Sequence, residues 1–388
     1  MLTRNIKIKN FKTKSNIKIK NILKKIKQNF LKKNDRLLQS FSENYRYSFN
    51  LKQIKKYKKY KNFTLIGMGG SILGAEAIYD FLNFKISKKF TFINNLNSNI
   101  KKKNKNDLNI IISKSGNTLE TISNSNIILE KNSKNLFITE DSQNYLTKLA
   151  YKLRSEVIEH RNYIGGRYSV LSEVGMVPAE LMGLNIKKFK RLNQLISNKK
   201  FMYNIIQNVS AILLFAKRKK NLSVILNYDE SSNKLFEWYQ QLVSESLGKK
   251  SKGIIPLIST MPKDNHSLMQ YFLDGPKNNF YTFFSVKNKK SQNIKTNILL
   301  DSFSFIKNKN LSQIKEAQRI ATENIFFKKK IPFRSIEIIN KNEQSLGEMF
   351  TYFMLETILL GRALKVNPFD QPSVELIKKE TKKIIIRD

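Results

Sequence analysis

The chain has 388 residues, about the length of two domains and enough to bury sizeable hydrophobic cores. It contains no cysteine, which excludes disulfides, thiolate metal ligands and a cysteine nucleophile. No apolar run reaches the roughly 18 residues of a membrane span, and the lysine-rich start lacks the apolar core of a signal peptide. We therefore expect a cytoplasmic protein without membrane association.

The formal net charge of +41 raises the question of nucleic-acid binding. Of the 71 basic residues only 12 are Arg, which leaves 59 Lys spread through every segment beside abundant Asn and Ile. A designed phosphate-binding groove favours Arg, because its guanidinium makes bidentate contacts with phosphate. We interpret the charge as a general compositional bias and expect no specific nucleic-acid partner, although a nucleic-acid-binding protein stays open as a reading from charge alone.

Residues 1–60 are rich in Lys and Asn, with the best helical pattern at residues 22–38, and we expect a peripheral, basic helical extension. Strands and helices then alternate in residues 61–200 and again in residues 201–388, which predicts two tandem doubly wound α/β domains with parallel sheets. The predicted strands are residues 63–66, 90–93, 108–112, 136–139, 222–228, 254–258, 280–286 and 335–339. The predicted helices are residues 118–128, 232–247, 311–326 and 344–364, with a last one beginning near residue 373.

The most informative stretch is LNIIISKSGNTLET at residues 108–121, a buried-strand pattern followed by a loop and a helix. Residues 113–118, the hydroxyl loop, carry the hydroxyls of Ser113, Ser115 and Thr118 and the cation of Lys114. Free N–H groups and the helix dipole at such a helix start attract an anion. Ordinary helix capping by Ser and Thr is an equally good explanation of this loop taken alone.

A second strand–turn–helix junction is GMGGSILG at residues 67–74, the glycine loop. It lacks the third glycine of a dinucleotide fingerprint and the Gly-Lys-Ser/Thr of a P-loop. Its turn around Gly70 would let a ligand approach the backbone, with Ser71 able to bond a sugar or a phosphate. Together the two loops predict a site for a small phosphorylated ligand at the carboxyl edge of a parallel sheet, and not for ATP.

Glu245 in QQLVSESLGKK is a candidate general base. It shares a helical face with Gln241 and Trp238, and burial beside the tryptophan would raise its pKa. The competing interpretation is an exposed glutamate paired with Lys249 one turn later.

The chain has two histidines, and histidine is the usual proton shuttle near neutral pH. His266 in DNHS follows a predicted strand at the ligand-binding edge of the second sheet, whereas His160 reads as a surface residue. Neither has the spacing of a metal site, so no metal is expected.

Arg167 in GGRYSV follows paired glycines and could stabilise a developing oxyanion, or else form a structural salt bridge. In NPFDQPSVELIK, Gln371 lies on a double-proline turn and Lys378 in the last helix. Taken alone this is only a turn and a helix.

These segments stand in a fixed order along the chain: GMGGSILG, SKSGNTLET, GGRYSV, ESLGK, DNHS and NPFDQPSVELIK, between residues 67 and 378. Their order and residues resemble the glucose-6-phosphate isomerase (phosphoglucose isomerase) family, whose members are built from two sugar-isomerase (SIS) domains. The resemblance implies an aldose–ketose isomerase that works through a cis-enediol in glycolysis and gluconeogenesis, without a cofactor or metal.

The resemblance also implies roles for the residues. Glu245 would move the proton between C2 and C1, Arg167 would stabilise the enediolate, and His266 and Lys378 would help to open the sugar ring. His266 would reach into the neighbouring subunit of a homodimer. The substrate contacts would be Gly70, Ser71, Ser113, Lys114, Ser115, Thr118 and Gln371.

Two alternatives stay open at this stage. One is an isomerase that also accepts mannose 6-phosphate. The other is a sugar-phosphate-sensing protein on the same domains that binds without turnover.

Overall fold

The computed structural model describes residues 2–96, 107–287 and 291–387. Within them the strands form two sheets of five, and the predicted α/β class with two parallel-type sheets is confirmed. The strands are β1 Ile6–Lys9, β2 Asn62–Gly67, β3 Lys89–Ile93, β4 Leu108–Ile112, β5 Lys134–Thr139, β6 Glu156–Glu159, β7 Leu222–Asn227, β8 Ile255–Thr260, β9 Asn279–Val286 and β10 Phe333–Ile338.

The first sheet has the order β3-β2-β4-β5-β6, and its strands are all parallel. Every residue of β4 is buried, which explains why four of its five residues are apolar, because helices cover both faces of a parallel sheet. The buried Asn109 donates a hydrogen bond to Asn135 on the neighbouring strand. The order in which the strands are added reverses between β2 and β4, because β3 lies on one side of β2 while β4, β5 and β6 follow on the other side. At this point Gly67 lies opposite Ile112. The glycine loop and the hydroxyl loop therefore begin side by side at the carboxyl edge, where open α/β sheets bind ligands.

The second sheet has the order β1-β10-β9-β7-β8. Strands β7 to β10 are parallel, and β1 pairs antiparallel with β10, with Ile6 opposite Ile338. The first residues of the chain thus complete a sheet whose other strands lie more than two hundred residues later.

The helices are α1 Ile17–Leu31, α2 Arg36–Gln39, α3 Leu51–Lys55, α4 Leu73–Phe81, α5 Leu119–Ile128, α6 Tyr145–Lys152, α7 Glu173–Leu181, α8 Leu192–Ser197, α9 Lys199–Lys217, α10 Asn233–Leu247, α11 Met269–Asp274, α12 Leu311–Lys328, α13 Glu343–Leu364 and α14 Val374–Arg387. Helix α13 is buried almost all round and packs against α1, α9 and α10. Helix α10 also packs against α4, which brings the second half of the chain onto the first. No helix in the described part of the chain is both long and apolar enough to cross a membrane.

The expectation of a peripheral N-terminal extension is wrong. Helix α1 buries Ile19, Leu23, Ile26 and Phe30 against the core, and the chain before it forms β1. The helix predicted at residues 22–38 instead ends at Leu31, and α2 starts after Asp35, whose side chain caps it. Strands β1 and β6 escaped prediction because each is a short strand at a sheet edge with charged residues, so neither has a long apolar run.

Candidate functional site

The hydroxyl loop is held in a fixed shape at the end of β4. The hydroxyls of Ser113 and Thr118 lie 2.9 Å apart, and Ser113 is buried while Ser115 is exposed. Gly116 has a φ of +64°, and a Cβ there would overlap the side chain of Asn144, so the tight turn requires glycine. The loop thus presents one buried and two accessible hydroxyl positions at the sheet edge.

The first turn of α5 is open to an anion. Thr118 is its N-cap residue, yet its side chain makes no capping hydrogen bond; instead its hydroxyl contacts Ser113. Side-chain capping, the alternative explanation of these hydroxyls, is therefore not what they do here. The uncapped N–H groups leave positive partial charge at the loop.

Lys114 contacts residues outside the hydroxyl loop. Its ammonium donates to the carbonyl oxygen of Asn162 at 2.7 Å and lies 3.6 Å from a Glu140 carboxylate oxygen. In this conformation its charge adds to the local potential without pointing between Ser113 and Thr118.

The glycine loop packs directly against the GGRYSV segment. A Cβ on Gly70 would lie 2.2 Å from the carbonyl carbon of Gly166, so the absence of a side chain is explained by contact with protein backbone. The sequence predicts that a ligand approaches the backbone at Gly70, but in the structure the backbone of Gly166 occupies this space. The short turn Gly69–Ser71 also contacts α10. Ser71 is partly exposed, and its hydroxyl makes no hydrogen bond within the described residues.

Arg167 is buried at 3% exposure and is the centre of the site. Its Nη1 donates to Glu245 Oε2 at 3.1 Å and to Gln371 Oε1 at 2.7 Å. Its Nη2 donates to the carbonyl oxygens of Pro368 and Asp370 at 2.8 and 2.9 Å. The guanidinium therefore links three segments that are far apart in the sequence.

Glu245 faces this arginine and is still partly exposed, at 26% of its side chain. Its second carboxylate oxygen accepts a hydrogen bond from Gln241 Nε2 at 2.9 Å, as their shared helical face predicted. Trp238 lies deeper and packs against Phe350, at 4.8 Å between ring centroids. The carboxylate is therefore oriented by two donors and left accessible to a ligand, as a general base requires.

The alternative of a surface pair between Glu245 and Lys249 is wrong. Lys249 instead contacts Asp370, with its ammonium 2.7 Å from a carboxylate oxygen. This contact holds the pKa of Asp370 below its usual range.

Two buried side chains behind Arg167 were not predicted. Ser246 accepts a hydrogen bond from Arg167 Nε at 2.9 Å, and the Tyr168 hydroxyl lies 3.0 Å from the same Ser246 oxygen. Burial raises the pKa of Tyr168, so its hydroxyl stays a neutral donor. The sequence could have indicated both residues, since Tyr168 directly follows Arg167 and Ser246 directly follows Glu245.

The structure does not bring the other candidates into this group. His266 is exposed on the turn Lys263–His266 after β8 and has no hydrogen bond within the described residues. Lys378 is exposed on α14 and pairs with Glu375 at 2.6 Å. His160, expected at the surface, is buried, and burial lowers its pKa to about 4.

The groups that accept hydrogen bonds from Arg167 are the Glu245 carboxylate, the Gln371 amide, the Ser246 hydroxyl and two backbone carbonyl oxygens. In the described part of the chain, His, Asp and Glu side chains form no group of three that could hold a metal ion.

Comparison with known proteins places these residues in a family context. The model of the phosphoglucose isomerase family matches residues 11–387. The chain is 34% identical to the glucose-6-phosphate isomerase of Methanocaldococcus jannaschii, over 86% of each chain. It is 30% identical to that of Campylobacter jejuni, over 87% of this chain and 88% of the other.

Solved structures show the same fold. A hypothetical protein from Thermus thermophilus superposes with a TM-score of 0.82 at 22% identity, over 94% of this chain and 95% of the other. A glucose-6-phosphate isomerase from Chlamydia trachomatis gives 0.69 at 18% identity, over 86% and 72%. The match of the family model along nearly the whole chain, with relatives at 30% identity or more, shows that this chain belongs to the phosphoglucose isomerase family.

Proposed function

We propose that the chain interconverts glucose 6-phosphate and fructose 6-phosphate, as an aldose–ketose isomerase of glycolysis and gluconeogenesis. The observation that carries this proposal is the pairing of Arg167 with Glu245 at 3.1 Å, beside the carboxyl edge of the first sheet. A carboxylate and a fixed cation are the two groups that proton transfer next to a carbonyl needs.

In this proposal Glu245 removes the proton from C2 of the open-chain aldose and returns it to C1 of the cis-enediol. Gln241 and Arg167 each donate to one carboxylate oxygen and so orient the base, whose partly exposed side chain stays open to the substrate. The negative charge that develops on the substrate oxygen is stabilised by the buried guanidinium of Arg167. Gln371, which accepts from the same guanidinium nitrogen, is a substrate contact at the edge of this site.

The phosphate group would bind in the hydroxyl loop. Ser113, Ser115 and Thr118 supply hydroxyl donors, and the uncapped start of α5 supplies backbone N–H groups. Lys114 contributes positive charge from the side, and Ser71 reaches the sugar from the glycine loop. Gly70 shapes the site through its contact with Gly166.

We assign ring opening to His266 and Lys378, with His266 contributed by the second subunit of a cytoplasmic homodimer. Both side chains are exposed, and His266 makes no hydrogen bond within the described part of its own chain. Helix α14, which carries Lys378, exposes Val374, Leu376 and Ile377, as an interface would require.

Mixing two inactive variants tests the contribution across the subunits. Glu245→Gln and His266→Gln chains, unfolded together and refolded, should regain about a quarter of the natural activity, because half of random dimers would hold one complete site. No recovery in correctly refolded dimers would place His266 in its own chain's site.

A coupled assay of fructose 6-phosphate conversion, run in metal chelator, tests the function itself. Glu245→Gln should lower kcat by about 10²–10⁴-fold, as loss of a general base does, while the chain still binds sugar phosphate. Glu237→Gln is the matched control, since Glu237 lies on the same helix and pairs only with Lys234 within the described residues. Binding without conversion by the natural chain would favour a sensor, and equal turnover of mannose 6-phosphate would favour the broader isomerase.

A further inference from the structure

We infer that Lys249 is a positioning residue, which fixes Gln371 and Arg167 relative to Glu245 by clamping residues 367–371, the proline turn. This inference rests on the proposed isomerase function. Lys249 Nζ donates to the carbonyl oxygens of Asn367 and Asp370, the second at 2.6 Å, and forms an ion pair with the Asp370 side chain at 2.7 Å.

The proline turn is held from its other side by the active-site arginine. Arg167 donates to the carbonyl oxygens of Pro368 and Asp370, and the Tyr168 hydroxyl donates to Pro368. The Asp370 carbonyl oxygen therefore accepts from both cations. A turn whose carbonyl groups are held by two cations has little freedom to move, provided both cations are in place.

Through Lys249, the helix that carries Glu245 is linked to Gln371, which lies beside Glu245. Lys249 follows the end of α10 four residues after Glu245, and Gln371 follows directly after the clamped Asp370. Gln371 Oε1 and Glu245 Oε2 accept from the same Arg167 Nη1. If the turn moved away, Arg167 would lose Gln371 as an acceptor, and its guanidinium would be free to shift relative to the Glu245 carboxylate that it orients.

Lys249 is suited to this role by its surroundings. Only 12% of its side chain is exposed, and the half-exposed Asp370 carboxylate is one of three oxygen acceptors around its ammonium, so the contact does not depend on a solvated ion pair alone. The hydrogen bond from Lys249 also holds the pKa of Asp370 below its usual range, so the Asp370 carboxylate stays charged.

The test compares Lys249→Met with Lys249→Arg, and uses Lys250→Met as the control, since Lys250 is the neighbour in the chain and makes no part of the clamp. We expect Lys249→Met to lower kcat about 10-fold with KM changed less than about twofold. The reason is that the substitution displaces Gln371 and Arg167 and leaves the hydroxyl loop, which would bind the phosphate, in place. Lys249→Arg should recover most of the rate. Combined with Gln371→Ala, Lys249→Met should cause much less than its own 10-fold loss, since part of its effect passes through Gln371.

Amide hydrogen exchange of the proline turn is a second measurement that does not depend on catalysis. We expect faster exchange in Lys249→Met than in the natural chain. An unchanged kcat and unchanged exchange would overturn the inference, as would losses from Lys249→Met and Gln371→Ala that multiply fully. If the natural chain does not convert the sugar phosphate, the proposed function fails, and unchanged exchange would then overturn the clamp as well.

Discussion

The backbones of Gly70 and Gly166 touch, so that a Cβ on Gly70 would lie 2.2 Å from the carbonyl carbon of Gly166. This contact joins the loop after β2 to the segment that carries Arg167. It seats the buried guanidinium beside the carboxyl edge of the first sheet, and from there the arginine reaches Glu245 on α10.

Replacing Gly70 by Ala should therefore disable the site. The added methyl group must push the two backbones apart, at a cost of about 1–3 kcal/mol for overpacking, and Arg167 moves with its segment. We expect a lower melting temperature and a large loss of kcat. Gly165→Ala is the control, because its φ is −66° and its nearest contact would be Tyr168 at 3.7 Å. Natural kinetics for Gly70→Ala would show that the contact is dispensable.

Inorganic phosphate should compete with sugar phosphate at the hydroxyl loop. Thr118→Val keeps the shape of the side chain but removes its hydroxyl, and hydrogen bonds to charged groups contribute about 1.5–3 kcal/mol. We expect KM for fructose 6-phosphate and Ki for phosphate to rise about 10–100-fold, with kcat nearly unchanged. The stabilisation that added phosphate gives the natural chain in thermal melts should shrink correspondingly.

Thr147→Val provides the contrast. The Thr147 hydroxyl belongs to the capping box of α6, so its loss should lower stability without changing KM. Equal KM for the natural chain and Thr118→Val would contradict a phosphate site in the hydroxyl loop.

Stability at acidic pH should depend on His160. Burial lowers the pKa of His160 to about 4, while the unfolded chain binds this proton near its ordinary value of 6.5. Between these values the unfolded state binds more protons, so the free energy of unfolding falls as pH falls. This single group contributes a loss on the order of 3 kcal/mol between pH 7 and pH 4.

Urea unfolding at the two pH values measures this difference. His160→Gln should lose less stability on acidification than the natural chain, whereas His266→Gln, at an exposed position, should lose as much. An equal loss in the natural chain and His160→Gln would mean that the proton is bound elsewhere.

The buried pair Arg334–Glu356 should respond unequally to single and double replacement. Both side chains are 1% exposed, and the arginine also donates to Thr282 at 3.0 Å. Arg334→Met leaves a buried carboxylate without its cation, which costs about 3–5 kcal/mol, whereas adding Glu356→Leu should restore much of the stability. The exposed pair Lys383–Glu380 is the control, since Lys383→Met should change the free energy of unfolding by less than about 0.5 kcal/mol. Urea unfolding of these variants and of Glu356→Leu alone would decide this, and additive losses in the double variant would contradict it.

The interior strands could be predicted because burial on both faces imposes a visible pattern. Strand β4 is apolar at every position except Asn109, and the strand–loop–helix junctions after β2 and β4 are marked by glycine and hydroxyl residues. Strand β1 could not be predicted, because its pairing with β10 depends on residues more than three hundred positions away.

The sequence by itself determined the fold class, the position of the glycine loop and the hydroxyl loop after two strands, and the identity of the candidate base and arginine, since each follows from local pattern and from motif order. Only the tertiary structure decided what these residues touch. It excluded the alternative Glu245–Lys249 pair, because Glu245 pairs with Arg167 and Lys249 with Asp370, and it placed Gly70 against Gly166. The physical reason is that these contacts join segments distant in the chain, and packing against α10 and the proline turn, rather than local spacing, selects each partner.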